Sequence, residues 1–313
     1  SPSRRGVTIP AKGYFIDREA FDSHYLRLAE KAGVALLSAE VQSLRKDEGG
    51  MRLNLKGEEI HARVVIDASG VSSRLSQKAG LLPMRHPEDI AWAVEADIEY
   101  PYLGDEMFFQ YWIGSMAPGW KATFSPAGGN LATIGVFVRG QGQNVQPFFD
   151  RFLGLFKAHK ASIYRNIDRL KILSVRRGGD PICVMPGEMV ADSLMVTGGA
   201  AGQSGLAYSL RAGTICGTVA AQAVLKDDIS RSALYDYVRQ WNREFYWQYR
   251  MGRSSLLTLG QMKDEEIERL IYGLSGKGLV SNGSFFKKAV YAGALVTMIR
   301  PRTPYDLLVN LIR

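Results

Sequence analysis

Cysteine and histidine are scarce in this chain of 313 residues, which has two cysteines and four histidines. Cys183 and Cys216 form no CxxC motif, so neither a disulfide scaffold nor a Cys/His metal site is expected. We interpret both cysteines as small buried apolar residues, with redox thiols as the minor alternative. The histidines are scattered, and we expect surface roles rather than catalysis for His24, His61, His86 and His159.

Long apolar runs are also missing. The longest near the C-terminus, positions 289–299, is about half of the ~20 residues that a spanning helix needs. The start of the chain, positions 1–6, is polar and basic with no apolar stretch behind it, unlike a signal peptide. We therefore expect a cytoplasmic protein, with peripheral membrane contact as an open hypothesis.

The charge is unbalanced, with a net charge of +8 and a pI of about 9.4. Such a balance is compatible with nucleic acid, an anionic membrane surface or an acidic substrate. Because the basic residues are not interleaved with aromatic ones on a strand-like face, no nucleic-acid partner is predicted. The hydrophobic share of 46% and charged share of 22% predict a globular protein with a sizeable core.

The first part of the chain predicts a helix and a hairpin. The segment 14–32 has apolar residues at helical spacing, and Asp17 is a candidate N-cap. Val34 to Leu37 is predicted as a short buried strand. Val41 to Arg45 and Met51 to Leu55 alternate apolar and polar residues around a Gly-rich turn, which predicts a β-hairpin.

The middle of the chain is rich in β-forming residues. Four consecutive candidate strands separated by Pro and Gly turns predict an antiparallel sheet inserted between the halves of an α/β domain. They are Ile90–Tyr100, Met107–Ile113, Trp120–Phe124 and Leu131–Val138. Pro147 is expected to open a helix that runs to about Leu170, and Lys171 to Arg177 is predicted as a further strand.

A first small-residue corner follows the β-branched run Val64-Val65-Ile66, which predicts a strand buried on both faces. The strand continues into Asp67-Ala68-Ser69-Gly70, where Gly70 can take a positive φ. Ser72 or Ser73 can cap the next helix, whose N-terminus favours an anion such as a pyrophosphate. An ordinary strand-turn-helix corner without a ligand is the alternative.

A second corner has the same character. The buried strand Leu194–Val196 runs into Gly198-Gly199-Ala200-Ala201-Gly202 and then into a helix of small residues that ends near Leu225. Several glycines in that helix each cost about 1 kcal/mol, so something must pack tightly on it. A flat cofactor and another helix both satisfy this requirement, as does close helix–sheet packing without a ligand.

Together the corners resemble flavoproteins of the para-hydroxybenzoate hydroxylase superfamily. That superfamily has a strand ending in D-x-x-G with a following Ser and Arg, which match Asp67, Gly70, Ser73 and Arg74. It also has a later strand ending in G-D-A-A-G, which matches Gly198, Ala200, Ala201 and Gly202. The segment Gly13 to Asp22 is similar to the superfamily's g-y-x-x-d-R-x-x-f-D stretch.

Within the superfamily, the geranylgeranyl reductases resemble the chain best. They share a strand like the one containing Trp120, Phe124 and Pro126, and a basic helical tail like Leu234 to Arg253. The resemblance implies an α/β fold: a Rossmann-like flavin-binding domain with an inserted antiparallel β-sheet substrate domain and a helical C-terminal tail. The implied domains are 1–80 plus 178–228 for FAD, 81–177 for the substrate, and 229–313 for the tail.

The resemblance also implies roles for individual residues. Arg18 would meet the phosphate or ribityl region of FAD, and Asp67 and Gly70 would lie close to the cofactor. Gly198, Gly199, Ala200, Ala201 and Gly202 would place backbone N–H groups against the pyrophosphate and ribityl chain.

Three departures from the family pattern stand out. No GxGxxG follows a strand, so we expect the strand that holds the ADP part of FAD to be absent, because the chain is a fragment or has lost that element. Gly199 replaces the family's acid, which removes a hydrogen bond of about 1.5–3 kcal/mol. Tyr208 is bulkier than the family norm.

The implied activity is the reduction of C=C bonds in a long isoprenoid chain of a lipid or quinone, which needs a long apolar pocket. The candidates for this pocket are aromatic, although aromatic residues on strands lie in the core more often than in a pocket: Phe109, Tyr111, Trp120, Phe124 and Tyr208. Two alternatives remain, an FAD-dependent aromatic hydroxylase or halogenase-like monooxygenase, and a redox-inactive lipid-binding relative. Neither a proton donor nor an electron donor is assigned.

The tail carries the membrane hypothesis. Phe285-Phe286-Lys287-Lys288, the apolar run 289–299 and the end of the chain, Leu307 to Arg313, are bordered by Lys and Arg. Such stretches can lie in the headgroup region of an anionic bilayer. A basic helical tail packed on the body is the alternative.

Overall fold

The computed structural model describes residues 1, 3–8, 14–274, 290, 293, 294 and 296–312. These residues form a mixed α/β fold with two hydrophobic cores. One core lies under a five-stranded antiparallel sheet, and the other surrounds a small sheet that carries both glycine corners. The predicted fold class is confirmed.

The N-terminal elements follow the sequence prediction closely. Helix α1 spans Arg18–Lys31, and the side chain of Asp17 accepts from the Ala20 N–H at 3.0 Å. Strands β1 (Val41–Asp47) and β2 (Gly50–Leu55) form the expected hairpin. Strand β3 (Glu58–Ala62) extends it to three strands.

The predicted buried strand at Val34 to Leu37 is wrong. The segment has no strand geometry, and Val34 and Leu37 are 52% and 66% exposed. Helix α1 likewise has no buried residue. An apolar run becomes a strand only when another backbone pairs with it, and no strand among the described residues does so.

The predicted antiparallel sheet is close to the structure. The sheet has the order β10-β6-β9-β8-β7, with every neighbour antiparallel. A two-residue strand β5 (Met84–Arg85) comes before it in the chain. The sheet's strands are β6 (Ala91–Glu99), β7 (Gln110–Trp112), β8 (Lys121–Pro126), β9 (Leu131–Val138) and β10 (Lys171–Asp180).

One face of this sheet is covered by helix α3 (Gln146–Lys160), which begins one residue before the expected Pro147 and ends before the expected Leu170. A separate short 3₁₀ turn follows after Asn166, which has a φ of 62°. Phe149, Phe152 and Phe156 on α3 are fully buried against the sheet. Strand β10 runs on to Asp180, so the five-stranded sheet extends past residue 177.

The second core is built around two parallel strands, β4 (Val65–Asp67) and β13 (Leu194–Val196). Strand β12 (Val190–Ala191) pairs with the other side of β13, and β11 (Met185–Pro186) pairs with β5. Strand β4 is not buried on both faces as predicted, since Ile66 is 39% exposed. No described strand pairs with its outer edge.

Helices cover one side of the small sheet. Helix α2 (Leu75–Lys78) follows β4, and helix α4 (Leu206–Leu225) follows β13. The long helix α5 (Arg231–Gly260) packs its apolar face into the same core. Its buried residues there include Leu234, Tyr237, Trp241 and Phe245. We call the part of the molecule that contains β4, β13, α4 and the first half of α5 the corner region.

A buried ionic cluster joins α5 to the five-stranded sheet. Asp89 accepts from Arg139 at 2.8 Å and also pairs with Arg253 of α5. The two guanidinium groups further donate to the carbonyls of Leu256 and Cys183. Since all three charged side chains are largely buried, each depends on the others.

The C-terminal part is helical, with α6 (Asp264–Leu274) and α7 (Thr303–Ile312). Phe285-Phe286-Lys287-Lys288 and part of the run 289–299 lie outside the described residues. Within the described part of the chain, no helix combines the length and hydropathy needed to span a membrane.

Both cysteines are free and fully buried, as the sequence suggests. Burial raises the pKa of Cys183 to about 11 and that of Cys216 to about 12. Since the thiolate is the reactive form, neither residue is suited to redox chemistry.

Candidate functional site

The two glycine corners meet in space. Parallel pairing of β4 with β13 sets Asp67 opposite Val196, and the Thr197 N–H donates to the Asp67 carbonyl at 3.0 Å. A Cβ added to Gly199 would lie 3.1 Å from the Val71 nitrogen and 3.4 Å from the Gly70 Cα. The carboxyl ends of the two strands therefore lie side by side, and open α/β sheets bind their ligands in a crevice at this end.

Asp67 holds the first corner in place. Its carboxylate accepts from the backbone N–H groups of Ser69 at 3.1 Å and Ser76 at 3.2 Å, and from both hydroxyls. Burial works against the charge of Asp67, yet these hydrogen bonds keep its pKa below the usual value. With its oxygens occupied, Asp67 shapes the turn rather than facing a ligand.

The predicted anion site at the helix after this corner is not supported. Helix α2 has only four residues and its N-cap, Arg74, makes no side-chain capping bond. Ser73 does accept from the Leu75 N–H at 3.3 Å, but Asp67 takes the N–H of Ser76. A carboxylate already occupies the position that an anion would take.

Gly70 and Gly198 line the open part of the crevice. Their φ angles are +89° and +62°, and a Cβ on either would meet no atom within 4 Å. Glycine suits both positions because of its backbone freedom, and the absent side chains leave room for a flat group. These two residues therefore fit the close approach of a planar cofactor.

The backbone of the second corner is partly used by the protein itself. Gln203 accepts from the Gly198 N–H at 2.7 Å and donates to the Tyr237 hydroxyl at 2.8 Å, and that hydroxyl donates to Thr197. The Gly198 N–H is therefore not available to a pyrophosphate, contrary to the prediction. Among the described residues, the N–H group of Gly199 has no acceptor.

The rest of this corner faces the protein. Ala200, Ala201 and Gly202 are buried, and a Cβ on Gly202 would lie 2.8 Å from Val184. Within the predicted loop 198–202, it is thus mainly Gly198 and Gly199 that border the open crevice.

The glycine at position 199 has a local explanation. Any side chain there would press on the backbone of the facing corner at Val71. The facing corner would have to move by a few tenths of an ångström to admit a side chain such as the acid that the resemblance implies at this place.

Arg18 lies apart from the corners. It is the first residue of α1, it is exposed, and it pairs with Asp22 at 3.1 Å one turn further on. No contact joins it to either corner among the described residues. Its role at a phosphate stays a prediction.

The five-stranded sheet reaches the crevice at the end of β10. A Cβ on Gly179 would lie 3.0 Å from Val71 and 2.9 Å from Ile90, so β10 packs directly against the first corner. The next residue, Asp180, accepts from the hydroxyl of Ser204, just beyond the second corner. Asp180 therefore lies where the sheet and both corners meet.

The sheet face opposite α3 is polar and aromatic. Lys121 places its ammonium 4.6 Å from the Tyr111 ring centre and 5.0 Å from that of Phe137. Glu95 lies beside Gly135 on the same face, since a Cβ added to Gly135 would lie 2.9 Å from the Cγ of Glu95. Burial lowers the pKa of Lys121 and raises those of Glu95 and Asp180.

The predicted pocket residues fall into two groups. Phe109 and Tyr111 stack edge to face at 4.6 Å on the open side of the sheet, and Trp120 lies beneath the same ammonium of Lys121. Tyr208 lies in the first turn of α4 against Phe245 and Tyr249.

Phe124 requires a correction. It is fully buried under the opposite side of the sheet, 5.1 Å from Phe156, and is part of the core rather than a pocket. Successive strand residues point to opposite faces, so residues two positions apart share a face. Phe124 therefore points to the same side of β8 as Ala122, which is also part of the core.

Glu95, Lys121, Asp180, Ser204 and Tyr249 were not identified as site residues from the sequence. A signal existed for one of them, because Glu95, Asp97 and Glu99 alternate with apolar residues along β6 and predict a polar sheet face. The position of Asp180 depends on pairing with a distant strand, and no local pattern reveals it.

Comparison with known proteins identifies the family. Digeranylgeranylglycerophospholipid reductase 1 of Methanothermobacter thermautotrophicus is 31% identical over 278 residues, covering 84% of this chain and 68% of the relative. The chain belongs to the geranylgeranyl reductase family of FAD-dependent oxidoreductases. Digeranylgeranylglycerophospholipid reductase of Methanocaldococcus jannaschii is 30% identical, covering 88% of this chain and 72% of the relative.

Wider matches show a shared fold. A family model described as tryptophan halogenase matches residues 4–101. A geranylgeranyl bacteriochlorophyll reductase-like protein from Thermoplasma acidophilum shares the fold with a TM-score of 0.79 at 18% identity, covering 99% of this chain and 80% of its own. A single-residue mutant of the halogenase PltM, solved in complex with FAD, has a TM-score of 0.62 at 13% identity, covering 99% and 66%.

Proposed function

We propose that this reductase-family protein binds FAD and saturates C=C bonds in the isoprenoid chains of a digeranylgeranylglycerophospholipid-type lipid. The observation that carries the proposal is the meeting of two glycine corners at the end of a sheet face lined with aromatic side chains. The corners suit a flat cofactor, and the aromatic face suits a long apolar chain. The curated relatives are named for this lipid.

The residues around the crevice suit the flavin. Gly70 and Gly198 leave open space beside the backbone, and Gly199 supplies an N–H group without an acceptor among the described residues. When bound, reduced flavin supplies the hydride that alkene reduction needs, and the protein supplies binding, orientation and electrostatics.

The substrate chain would lie along the open face of the sheet. Phe109 and Tyr111 remain 38% and 61% exposed there, although large aromatic side chains are usually buried. Phe15 extends the row, with its ring centre 6.0 Å from that of Phe109. An exposed aromatic row beside a cofactor crevice is typical of a groove for an apolar chain.

A monooxygenase is the second candidate function. The tryptophan halogenase match and the fold shared with PltM favour it. A monooxygenase uses reduced flavin to activate oxygen, whereas a reductase passes the hydride to an alkene. The two functions therefore differ in what reoxidises the flavin.

The experiment begins with the spectrum of the purified protein after incubation with FAD. A bound flavin shows as visible absorbance that persists through gel filtration, and its absence would favour a redox-inactive lipid-binding protein. The flavin is then reduced without oxygen and mixed with a digeranylgeranyl phospholipid. Reoxidation of the flavin together with a mass gain of H₂ per double bond supports the reductase. Rapid reoxidation that requires oxygen supports the monooxygenase.

The role of Arg18 can be tested in the same way. We expect Arg18→Ala to weaken FAD retention, because a guanidinium is suited to pairing with phosphate. Arg27→Ala, a change of the same chemistry elsewhere on α1, is the control. Unchanged retention in Arg18→Ala would remove Arg18 from the site.

We also infer that the C-terminal helix contacts a membrane surface. Thr303, Asp306 and Asn310 of α7 are buried against the body, and Asn310 donates to Thr258 at 3.0 Å. The exposed side carries Tyr305, Leu308 and Ile312. A helix that turns polar residues inward and apolar residues outward is suited to an apolar environment outside the protein.

Vesicle flotation tests this inference. The intact protein should float with vesicles of anionic phospholipid, and a variant with Tyr305, Leu308 and Ile312 changed to Ser should float less. Equal flotation of the two proteins, or none with either, would contradict the contact.

A further inference from the structure

The open face of the five-stranded sheet carries two kinds of charged group. Near the middle, Asp97 is tied to Arg176 at 2.8 Å and accepts from Thr133 and Ser174. These bonds stabilise the carboxylate of Asp97, and Arg176 holds the pKa of Asp97 well below the usual range. Toward the corners, Glu95, Lys121 and Asp180 form no such direct ion pair with any residue that the structure describes.

Asp180 is the charged group nearest the crevice. Its strand is in register with β6, so that Asp180 faces Ala91 and shares a side of the sheet with Glu95. Its neighbour Gly179 packs against Val71 of the first corner. The Ser204 hydroxyl from beyond the second corner donates to its carboxyl group.

Lys121 lies on the same face and is held by rings rather than by a carboxylate. Its ammonium is near the rings of Tyr111, Trp120 and Phe137. Among the described residues it forms no ion pair within 4 Å, although Asp180 and Glu95 both act on it at longer range. A cation without a direct partner, near a buried carboxyl group, stabilises the negative form of that group when it appears.

We propose that Asp180 is the acid that delivers a proton to the substrate alkene. The inference rests on the proposed function and adds the proton donor to it. Saturating a C=C bond adds a hydride to one carbon and a proton to the other. The hydride carries both electrons from the reduced flavin, which is oxidised. The O–H bond of Asp180 breaks, a C–H bond forms at the second carbon, and the carboxylate is left.

The surroundings of Asp180 suit both states of this step. Burial raises its pKa, while the Ser204 hydroxyl and the charge of Lys121 oppose that rise. Besides Lys121, the titratable groups on which the charge of Asp180 acts are Glu95 and Tyr249. The raised pKa of Asp180 favours the protonated form that a general acid needs, and Ser204 and Lys121 stabilise the carboxylate that is left after the proton is transferred.

The neighbouring helix supports the placement. The Tyr249 hydroxyl donates to the Ser204 carbonyl at 2.9 Å and therefore holds the residue that orients Asp180. Tyr208 packs edge to face on Tyr249, with ring centres 5.6 Å apart. Asp180 is thus fixed from the sheet, from the corner and from α5.

The first test is Asp180→Asn, which keeps the size of the side chain and an acceptor for Ser204. We expect FAD binding and reoxidation by oxygen to stay as in the wild type. Alkene-dependent reoxidation in a single turnover should fall about 100-fold or more, the usual effect of removing a general acid. The wild-type rate should be slower in D₂O, and the variant should lose this isotope effect.

Asp97→Asn is the matched control, since it removes a carboxylate from the same sheet face. Asp97 is already ionised and cannot donate a proton, so the alkene-dependent rate should stay within a few-fold of the wild type. An equal fall in both variants would show a general effect of charge on the face and would overturn the proposal.

The second test measures the titration of the Asp180 carboxyl group directly and needs no substrate. In protein labelled with ¹³C at aspartate carboxyl groups, the resonance lost in Asp180→Asn should titrate at a higher pH than an ordinary aspartate. Lys121→Met removes an opposing charge, so the titration should move to still higher pH. An ordinary titration that Lys121→Met leaves in place would overturn the proposal.

These measurements separate the two levels of the argument. If the wild type binds FAD but no alkene reoxidises it, the proposed function fails. If the alkene reoxidises wild type and Asp180→Asn equally fast, the proposed function stands and the proton donor is another group.

Discussion

The two hydrophobic cores of this molecule differ in how completely the surrounding elements are buried. The five-stranded sheet and α3 enclose one core, in which Phe149, Phe152 and Phe156 have almost no exposed surface. The corner region buries β13 completely but leaves one side of some other elements exposed. Helix α4 packs Ile215 and Val219 inward, while the opposite side of that helix is exposed.

The difference shows where each region obtains its stability. The sheet region depends on aromatic packing among its own residues. The corner region has a hydrophobic core of its own, but polar and ionic contacts also hold its backbone turns in position, and several of its apolar residues stay partly exposed. Leu210 of α4, Ile66 of β4 and Val34 are all substantially exposed. A region of this kind gains stability from whatever binds its corners.

The largest expected effect comes from the closed core. Phe152→Ala should lower the free energy of unfolding by about 3–5 kcal/mol, since it leaves a cavity between Trp112 and Phe156. Leu210→Ala on the open side of α4 should cost less than about 1 kcal/mol. Urea unfolding of both variants measures the contrast, and equal losses would show that the two regions do not differ as described.

The ionic cluster between the regions comes next. Asp89→Asn should cost about 3 kcal/mol, because two buried guanidinium groups lose their shared partner. Asp192→Asn, at the exposed pair with Lys46, is the control and should cost less than about 1 kcal/mol. A loss for Asp89→Asn no larger than that of the control would show that the cluster does not join the regions.

The same cluster predicts a pH dependence. Burial raises the pKa of Asp89, but Arg253 and Arg139 outweigh it and leave the pKa below the usual value. A lowered pKa stabilises the folded state above the ordinary aspartate range, and this contribution is lost as the pH falls through the folded-state pKa. The stability difference between wild type and Asp89→Asn should therefore shrink in acid, and a difference independent of pH would contradict it.

The smallest effect concerns the network under the second corner. Tyr237→Phe removes a hydroxyl that donates to Thr197 and accepts from Gln203, and should cost about 1–1.5 kcal/mol. The exposed Tyr235 on the same helix is the control, and Tyr235→Phe should have no measurable effect. Thermal unfolding of the two variants provides the comparison, and identical midpoints would contradict a role for the network.

Local features were predictable from the sequence. The Asp17 cap, the hairpin and the two glycine corners depend on residues close together in the chain. That both corners face one cofactor is an expectation from the family resemblance, and the parallel pairing of β4 with β13 was not predicted.

Features that depend on distant partners were missed. Val34 to Leu37 has the composition of a strand, but pairing decides whether a strand forms. Phe124 and Tyr111 are both aromatic strand residues, and only the position of α3 decides which of them is core. The N–H of Gly198 is taken by Gln203, a side chain whose orientation depends on Tyr237 of another helix.

The affinity for FAD of two glycine-to-alanine variants tests the central claim most directly. Gly198→Ala and Gly57→Ala both place a side chain at a positive φ with no atom within 4 Å, but only Gly198 borders the crevice. Calorimetric titration with FAD should show affinity at least about 10-fold weaker, or about 1.4 kcal/mol, in Gly198→Ala and unchanged in Gly57→Ala. Equal affinity in wild type and Gly198→Ala would contradict a flavin site between the glycine corners.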